Sequence, residues 1–268
     1  MTSIAIIGAG LSGLVLAGQL QGSARVTVFE KSRGVGGRMS TRYQDDYSFD
    51  HGAQYFTAKT PEFRAFLEPH IAAGLVQEWH AKLVTIERGT APKQSDDATQ
   101  FYTAVPRMTS LCKELSADLD VRHQHEIGAI DRMETAWQLT TTDGRNAGAF
   151  DWVLSTAPAF QSRRILPDNF RHRRELEATK MAGCFTLMLG YKRPFGIAWD
   201  AAKIIGSPIG WIAVNSSKPG RPMEHSIVVQ TTNKWAEAHL ESPKDEITAR
   251  LLKELTELTH QDFSGTAY

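Results

Sequence analysis

Residues 3–13 read Ser-Ile-Ala-Ile-Ile-Gly-Ala-Gly-Leu-Ser-Gly, and this stretch decides the fold. Ser3–Ile7 is a short apolar run that ends at a glycine, which is typical of a strand buried on both faces of a parallel sheet. Between residues 11 and 18 the apolar positions then recur at helical spacing. A second apolar run, residues 25–29, ends at Glu30. The order predicts a strand–turn–helix–strand unit.

The turn carries the glycine fingerprint of a dinucleotide site. Gly8 allows a tight turn, Gly10 lets the backbone approach a pyrophosphate, and Gly13 lets the helix pack closely on the strand. The helix N-terminus offers free N–H groups to phosphates, and Glu30 stands where an acceptor for ribose hydroxyls is expected. The residues predicted to surround the phosphates are Gly8, Ala9, Gly10, Leu11, Ser12 and Gly13.

A second glycine-rich loop indicates which dinucleotide is bound. Glu30 disfavours NADP, because its carboxylate would face a 2′-phosphate. Residues 31–39, Lys-Ser-Arg-Gly-Val-Gly-Gly-Arg-Met, follow the second strand at once and carry cations suited to phosphate oxygens. A simple NAD dehydrogenase does not need this loop, so FAD is favoured. The alternative is a flexible basic loop on the surface.

Several motifs resemble those of one family. Residues 30–42, EKSRGVGGRMSTR, resemble the second signature of the FAD-dependent amine-oxidase superfamily. Residues 50–57, DHGAQYFT, are similar to a segment of the renalase-like oxidases that runs beside the flavin. Residues 211–219, WIAVNSSKP, and Trp235 match the same group, so the resemblance extends along nearly the whole chain.

The resemblance implies FAD as the cofactor and adds residues to its site. Lys31, Arg33, Gly37 and Arg38 are expected near the phosphates, and the backbone of Ile127 near the adenine. The two segments expected to pass close to the cofactor are Gly52, Ala53, Gln54 and Tyr55, and then Thr156, Ala157 and Pro158.

The substrate residues are open to two interpretations each. Tyr55, Trp211 and Trp235 are candidate walls of a substrate pocket, although tryptophans on a sheet more often serve packing. Asn215 and Lys218 follow a strand and could contact a polar substrate or cap a turn. No catalytic acid, base or nucleophile is identified, and the histidines form no metal-binding pattern, so no metal is expected.

The predicted fold is α/β with two interleaved domains. A discontinuous, Rossmann-like FAD-binding domain covers residues 1–60 and 101–160, and an inserted α+β substrate domain covers residues 61–100 and 161–262. Within the latter, residues 185–191, 210–215 and 226–232 are predicted antiparallel strands, and 244–259 a helix.

The family closes its nucleotide domain with a strand, a Gly-Asp dipeptide and a helix. This sequence contains no Gly-Asp dipeptide and stops at residues 264–268. We therefore expect the C-terminal segment of the FAD domain to be missing, either because the sequence is a piece or because this variant has lost the segment.

Composition excludes some partners. Lys and Arg together number 30, as do Asp and Glu, so no overall charge draws the chain to nucleic acid or to a membrane. Cys112 and Cys184 have no metal or disulfide spacing and are predicted to be buried core thiols, which favours a cytoplasmic location. Nothing in the sequence fixes the oligomeric state.

The resemblance implies an FAD-dependent oxidase. Hydride would pass from a 2- or 6-dihydro isomer of NAD(P) to the flavin and then to O2, giving H2O2 and NAD(P)+. Three alternatives stay open: a flavin amine oxidase acting on a small amine, an NAD-dependent dehydrogenase, and a truncated, non-catalytic remnant.

Overall fold

The computed structural model describes residues 1–222 and 225–263. The strands are β1 (Ser3–Ile7), β2 (Arg25–Glu30), β3 (Arg42–Gln44), β4 (Tyr47–Phe49), β5 (Val76–Glu78), β6 (Leu83–Glu87), β7 (Lys93–Gln94), β8 (Tyr102–Ala104), β9 (Asp120–His123), β10 (Ile127–Arg132), β11 (Trp137–Thr141), β12 (Asn146–Phe150), β13 (Trp152–Ser155), β14 (Thr186–Tyr191), β15 (Ala201–Ile205), β16 (Ile209–Val214) and β17 (His225–Thr231). The helices are α1 (Leu11–Leu20), α2 (Pro61–Ala72), α3 (Ser110–Leu115), α4 (Ala159–Ile165), α5 (Arg173–Ala178), α6 (Asn233–Glu237) and α7 (Lys244–Thr259), with 3₁₀ turns at Gly37–Met39 and Asn215–Ser217.

The chain forms two compact units. Unit 1 consists of residues 1–40 and 112–181, and unit 2 consists of residues 41–111 and those from 182 onward. These boundaries differ from the predicted domains, because residues 41–60 and 101–111 pack with unit 2 and residues 161–181 with unit 1. That unit 2 takes the substrate stays a prediction.

Unit 1 contains the predicted parallel sheet. Its four strands lie in the order β13-β1-β2-β9, and all pairs are parallel. The strand–turn–helix–strand prediction for residues 3–30 is confirmed. The apolar run that starts at Trp152 and leaves at Pro158 predicts a buried strand, and this prediction is wrong: β13 is an edge strand on which Trp152 is 61% exposed.

A three-stranded antiparallel meander, β10-β11-β12, packs beside this sheet in unit 1. Its core joins Ile7 and Phe29 of the parallel sheet to Leu139 and Phe150 of the meander. The hairpin between β11 and β12 turns at Gly144, whose φ of 82° lies in the left-handed region that glycine accepts without strain.

Unit 2 is built on a six-stranded mixed sheet in the order β14-β17-β16-β15-β6-β7. The three predicted antiparallel strands correspond to β14, β16 and β17, and the helix predicted over 244–259 is α7. Side chains alternate across a strand, so each strand feeds two cores. One face packs against the apolar stripe of α7, and the other face carries a second cluster around Trp79, Phe101 and Trp211.

Among residues 1–222 and 225–263, no helix is long and apolar enough to cross a membrane. The same residues contain no group of three His, Cys, Asp or Glu side chains placed to share a metal ion. Cys112 is buried as predicted, whereas Cys184 is exposed, so the prediction for the second thiol is wrong. The closing residues 264–268, where the missing segment was expected to begin, lie outside the described part of the chain.

The packing of α7 gives a stability prediction. Leu255 is fully buried between α7 and the sheet, so Leu255→Ala should lower the free energy of unfolding by about 2–5 kcal/mol, through lost burial and the cavity left behind. Lys253→Ala, on the exposed side of the same helix, should change it by less than about 0.5 kcal/mol. Urea unfolding of both variants checks this, and similar losses in the two would contradict the packing described.

Candidate functional site

The phosphate loop of unit 1 has the geometry that its glycines predict. Gly8 has a φ of 106°, which L side chains rarely adopt. A methyl group on Gly13 would overlap the carbonyl oxygen of Gly8, so the close approach of helix and strand requires glycine there. A methyl group on Gly10 would meet no atom of the described residues within 4 Å. The space in front of Gly10 is therefore open to a ligand.

The N-terminus of α1 is prepared for an anion. Gly10 occupies the N-cap position with no side-chain hydrogen bond, and the first turn holds no acidic residue. The first N–H groups of a helix have no partner within the helix, and the helix dipole places partial positive charge there. A phosphate approaching Gly10 would meet these groups directly.

Glu30 joins the two glycine-rich loops. Its Oε2 accepts a hydrogen bond from the N–H of Ala9 at 2.9 Å, and its Oε1 accepts one from the N–H of Ser32 at 2.8 Å. The side chain is buried at the end of β2. Each carboxylate oxygen keeps a further lone pair, so its predicted role toward ribose hydroxyls remains possible in addition to this structural one.

The second loop rests on the first. The N–H of Gly36 donates to the carbonyl of Ala9 at 2.9 Å, and the backbones of Gly10 and Gly36 form a bridge. Next to this loop lies a cavity of about 400 Å³ in unit 1, lined by Lys31, Ser32, Arg33, Gln124, Glu126, Thr142, Asp143 and Arg145. Ile127, the predicted adenine neighbour, follows the lining residue Glu126 and is buried at the start of β10.

The remaining predicted cofactor residues of unit 1 fall into two groups. Thr156 supports the phosphate loop, because its hydroxyl donates to the carbonyls of Ile7 and Gly8 at 3.1 and 3.0 Å. Ala157 follows, and Pro158 occupies the N-cap position of α4. The side chains expected to approach phosphates from the solvent side are all exposed: Lys31, Arg33 and Arg38, the last beside Gly37 in a 3₁₀ turn.

These features fit the ADP half of FAD. The open space at Gly10, the uncapped end of α1 and the cations on the second loop suit a pyrophosphate.

In unit 2 the segment 50–55 is anchored by a buried carboxylate. Asp50 Oδ2 accepts hydrogen bonds from Arg221 at 2.6 and 3.1 Å, and Lys218 Nζ lies 3.5 Å away. Its other oxygen accepts from the hydroxyl of Thr41 at 2.8 Å and from the N–H of Met108 at 3.0 Å. These five groups form what we call the Asp50 cluster.

Two predicted substrate residues belong to this interior. Lys218 Nζ donates to Gln54 Oε1 at 3.1 Å and to Asn215 Oδ1 at 3.0 Å, and its side chain is fully buried. Asn215 Nδ2 donates to the carbonyl of Ser48 at 2.9 Å. Gln54 Nε2 donates to the carbonyls of Asp50 and Gly52. The contacts of Asn215 and Lys218 are those of residues that hold a turn, one of the two interpretations open from the sequence.

The pKa values of the cluster follow from burial and charge. Burial alone would raise the pKa of Asp50, but the charges of Lys218 and Arg221 outweigh it and lower the pKa to about 2. For Lys218, burial dominates and lowers the pKa to about 8, although Asp50 opposes this. The ion pairs are thus kept charged at neutral pH although all three side chains are buried.

An aromatic box lies on the sheet face of unit 2 opposite α7. It consists of Tyr55, Trp79, Phe101 and Trp211. The rings of Tyr55 and Phe101 have centroids 4.1 Å apart, and Tyr55 and Trp211 are 5.3 Å apart. Trp211 Nε1 is buried and has no hydrogen-bond partner within the described residues. Burial raises the pKa of the Tyr55 hydroxyl, which keeps it a donor. The box therefore combines flat apolar walls with two polar hydrogens.

Trp235 does not join the box. It lies on α6, where its ring stacks on His239 at 4.2 Å and packs against Phe185 beside the α7 core. Two of the three predicted wall residues, Tyr55 and Trp211, are therefore brought together, and the third is elsewhere in unit 2. Gly52 and Ala53, between Asp50 and Gln54, are partly exposed, and the carbonyl of Gly52 accepts from Gln230 at 2.7 Å.

Sequence reasoning missed the central residues of unit 2. Asp50 lies in the DHGAQYFT motif, but the motif does not indicate its role, and no motif in the sequence marks Arg221, Trp79 or Phe101. For Trp79 and Phe101 the available signal was their aromatic character, which marks buried positions but not their partners, and the charged side chains of Asp50 and Arg221 gave no signal of burial.

The comparisons with known proteins agree with this geometry. A model of the NAD(P)-binding Rossmann-like domain matches residues 6–69, and the model of flavin containing amine oxidoreductase matches residues 98–266, more than half of the chain. The chain belongs to the flavin-containing amine oxidoreductase family. FAD as cofactor, the FAD-dependent oxidoreductase class and the α/β flavin-oxidase fold are thereby confirmed.

Individual relatives match very different shares of the chain. It is 25% identical to renalase of Mus musculus over 95% of its own length and 79% of the relative's. A desaturase of Staphylococcus haemolyticus, 4,4′-diapophytoene desaturase, is 48% identical over 18% of this chain and 10% of its own. A solved variant of putrescine oxidase has a TM-score of 0.78 at 15% identity, over all of this chain and 83% of the other. Fold similarity thus persists where little identity remains.

The phosphate loop provides a prediction with an internal control. Gly10→Ala should fold normally, because its φ of −78° and the empty space admit a methyl group, but the methyl should block the pyrophosphate. Gly18→Ala, in the same helix and also in open space, should keep FAD. Bound flavin per chain, measured by absorbance, should fall at least tenfold in the first variant only. Equal flavin content in the two would contradict the assignment of the loop.

The buried lysine predicts a pH dependence of stability. The pKa of Lys218 is about 8 when folded, against an ordinary 10.5, so between these values the unfolded chain holds the extra proton. Stability from this group should then rise with pH across the window, by roughly 2–3 kcal/mol. The free energy of unfolding of the wild type and of Lys218→Met is measured in urea from pH 7 to 10.5. As the pH rises, the wild type should gain stability relative to the variant. A difference that stays flat would contradict the charged, buried state.

Proposed function

We propose that this flavin-dependent oxidase acts on 2- or 6-dihydro isomers of NAD(P) and returns NAD(P)+ with formation of H2O2. The coarser activity, oxidation of a small molecule with O2 as acceptor, follows from the family. The assignment of dihydro-NAD(P) isomers as the specific substrate rests on the resemblance to renalase and on the aromatic box. The cofactor contacts predicted from the sequence are part of this proposal.

The observation that carries the proposal is the aromatic box. A flat ring laid against the partly exposed rings of Tyr55 and Trp211 would gain about 0.5–1.5 kcal/mol for each aromatic contact. The gap in hydrogen bonding at Trp211 Nε1 calls for an acceptor, because an unpaired buried N–H costs about 1–3 kcal/mol. A nicotinamide offers both a flat ring and a carboxamide oxygen.

The chemistry requires little from the protein. FAD, when bound, supplies the acceptor for a hydride. A dihydropyridine yields hydride without losing a proton, so Tyr55 and the indole of Trp211 need only orient the ring and keep water away from it. A base at the reacting carbon is not required.

A second candidate is an amine oxidase. Putrescine oxidase shares the fold, and aromatic pairs such as Tyr55 and Trp211 also suit the pocket of an amine oxidase. This alternative predicts turnover of primary or secondary amines and none of dihydronicotinamides.

The test is a substrate comparison on the FAD-loaded chain. We expect H2O2 and NAD+ to form from 2- and 6-dihydro-NAD and no H2O2 from small diamines. Trp211→Leu should lower kcat/KM for the dihydro substrates about tenfold, the equivalent of one aromatic contact. Trp152→Leu, an exposed tryptophan of unit 1, should leave it unchanged. Turnover of amines alone would refute the proposal and select the alternative.

A further inference from the structure

One charged pair stands beside the aromatic box. Lys203 on β15 is directly opposite Trp211 on β16 in the antiparallel register. Side chains of directly opposed residues emerge on the same face and lie about 5 Å apart at their Cβ atoms. The Lys203 side chain is 43% exposed, whereas Lys218, whose Nζ lies over the ring of Trp79, is buried against Asp50. Lys203 is thus a cation within reach of both the box and solvent.

Asp97 holds this lysine. Its Oδ2 lies 2.5 Å from Lys203 Nζ, and its Oδ1 accepts the N–H of Thr99 at 3.0 Å. Asp97 belongs to the connection between β7 and β8, and the hydrogen bond from Lys203 is the largest cause of its lowered pKa. The charges of both partners also act on the hydroxyl of Tyr55. The pair therefore stands at the rim of the box, next to its polar side.

An exposed ion pair of this kind adds little to stability, about 0–1 kcal/mol. The pair is more important for binding, because Lys203 can exchange its carboxylate partner for another anion. A lysine ammonium on a flexible stem binds phosphate as a point charge, and a phosphate can replace the carboxylate of Asp97.

We propose that Lys203 is a specificity residue that binds the phosphate-bearing part of the dinucleotide substrate, and that Asp97 holds it in place until the substrate arrives. This inference rests on the proposed function. With the dihydronicotinamide ring stacked against the box, one ribose separates the ring from the first phosphate, a distance comparable to the lysine stem. Lys203 thus favours a substrate that carries a phosphate over one that does not.

The test compares two substrates with the same ring. The wild type, Lys203→Gln and Asp97→Asn are assayed with 6-dihydro-NAD and with the phosphate-free 6-dihydronicotinamide riboside. For Lys203→Gln, we expect KM for the dinucleotide to rise about tenfold with kcat unchanged, and KM for the riboside to stay the same. Asp97→Asn should lower KM for the dinucleotide. Lys253→Gln on α7, which covers the other face of the sheet, is the charge-matched control and should behave as the wild type.

An equal rise in KM for both substrates would show that Lys203 only shapes the box, and no change for either would also overturn the inference. If the wild type oxidises neither substrate, the proposed function fails first. In that case, binding of NAD+ and of nicotinamide riboside to the wild type and to Lys203→Gln is compared. The change in flavin absorbance on binding is the readout. Weaker binding of NAD+ alone in Lys203→Gln supports it, and identical NAD+ binding in the two proteins overturns it.

Discussion

The buried carboxylate of Asp50 is the interaction on which unit 2 depends. Its two oxygens accept bonds from Thr41, the N–H of Met108 and Arg221, with Lys218 close by, so four separate segments meet at one charge. The segment that carries Asp50 continues along the chain to Gln54 and Tyr55, and Tyr55 belongs to the aromatic box. Fixing this one charge therefore fixes both the backbone of residues 50–55 and the ring that closes the box.

Such a cluster is a device for specificity more than for stability. Moving ions out of water costs several kcal/mol each, and the mutual attraction repays this only when every polar atom is satisfied. Here Lys218 also donates hydrogen bonds to Gln54 and Asn215, and Arg221 also donates to the carbonyls of Ala104 and Pro219. Because few alternative arrangements could satisfy all of these groups, the loop is held in one conformation.

How much the sequence could predict depended on the range of the interaction. The phosphate loop and α7 were predicted well, because glycine spacing and helical periodicity are local signals. The Asp50 cluster joins residues about 170 positions apart, and β6 pairs in parallel with β15 across more than 100 residues. No local pattern encodes such partners. Lys218 was therefore open to a substrate role, and Trp235 was grouped with Trp211 although they face different cores.

Amide hydrogen exchange of Asp50→Asn tests the central claim most directly, with Asp46→Asn in the exposed β3–β4 turn as control. Removing the charge leaves Arg221 and Lys218 buried without their anion. The account predicts faster exchange in residues 48–56 and 215–222, while residues 3–30 of unit 1 keep their protection. Exchange in the first two segments that matches the Asp46→Asn control would contradict it, and would mean that other contacts hold the site together.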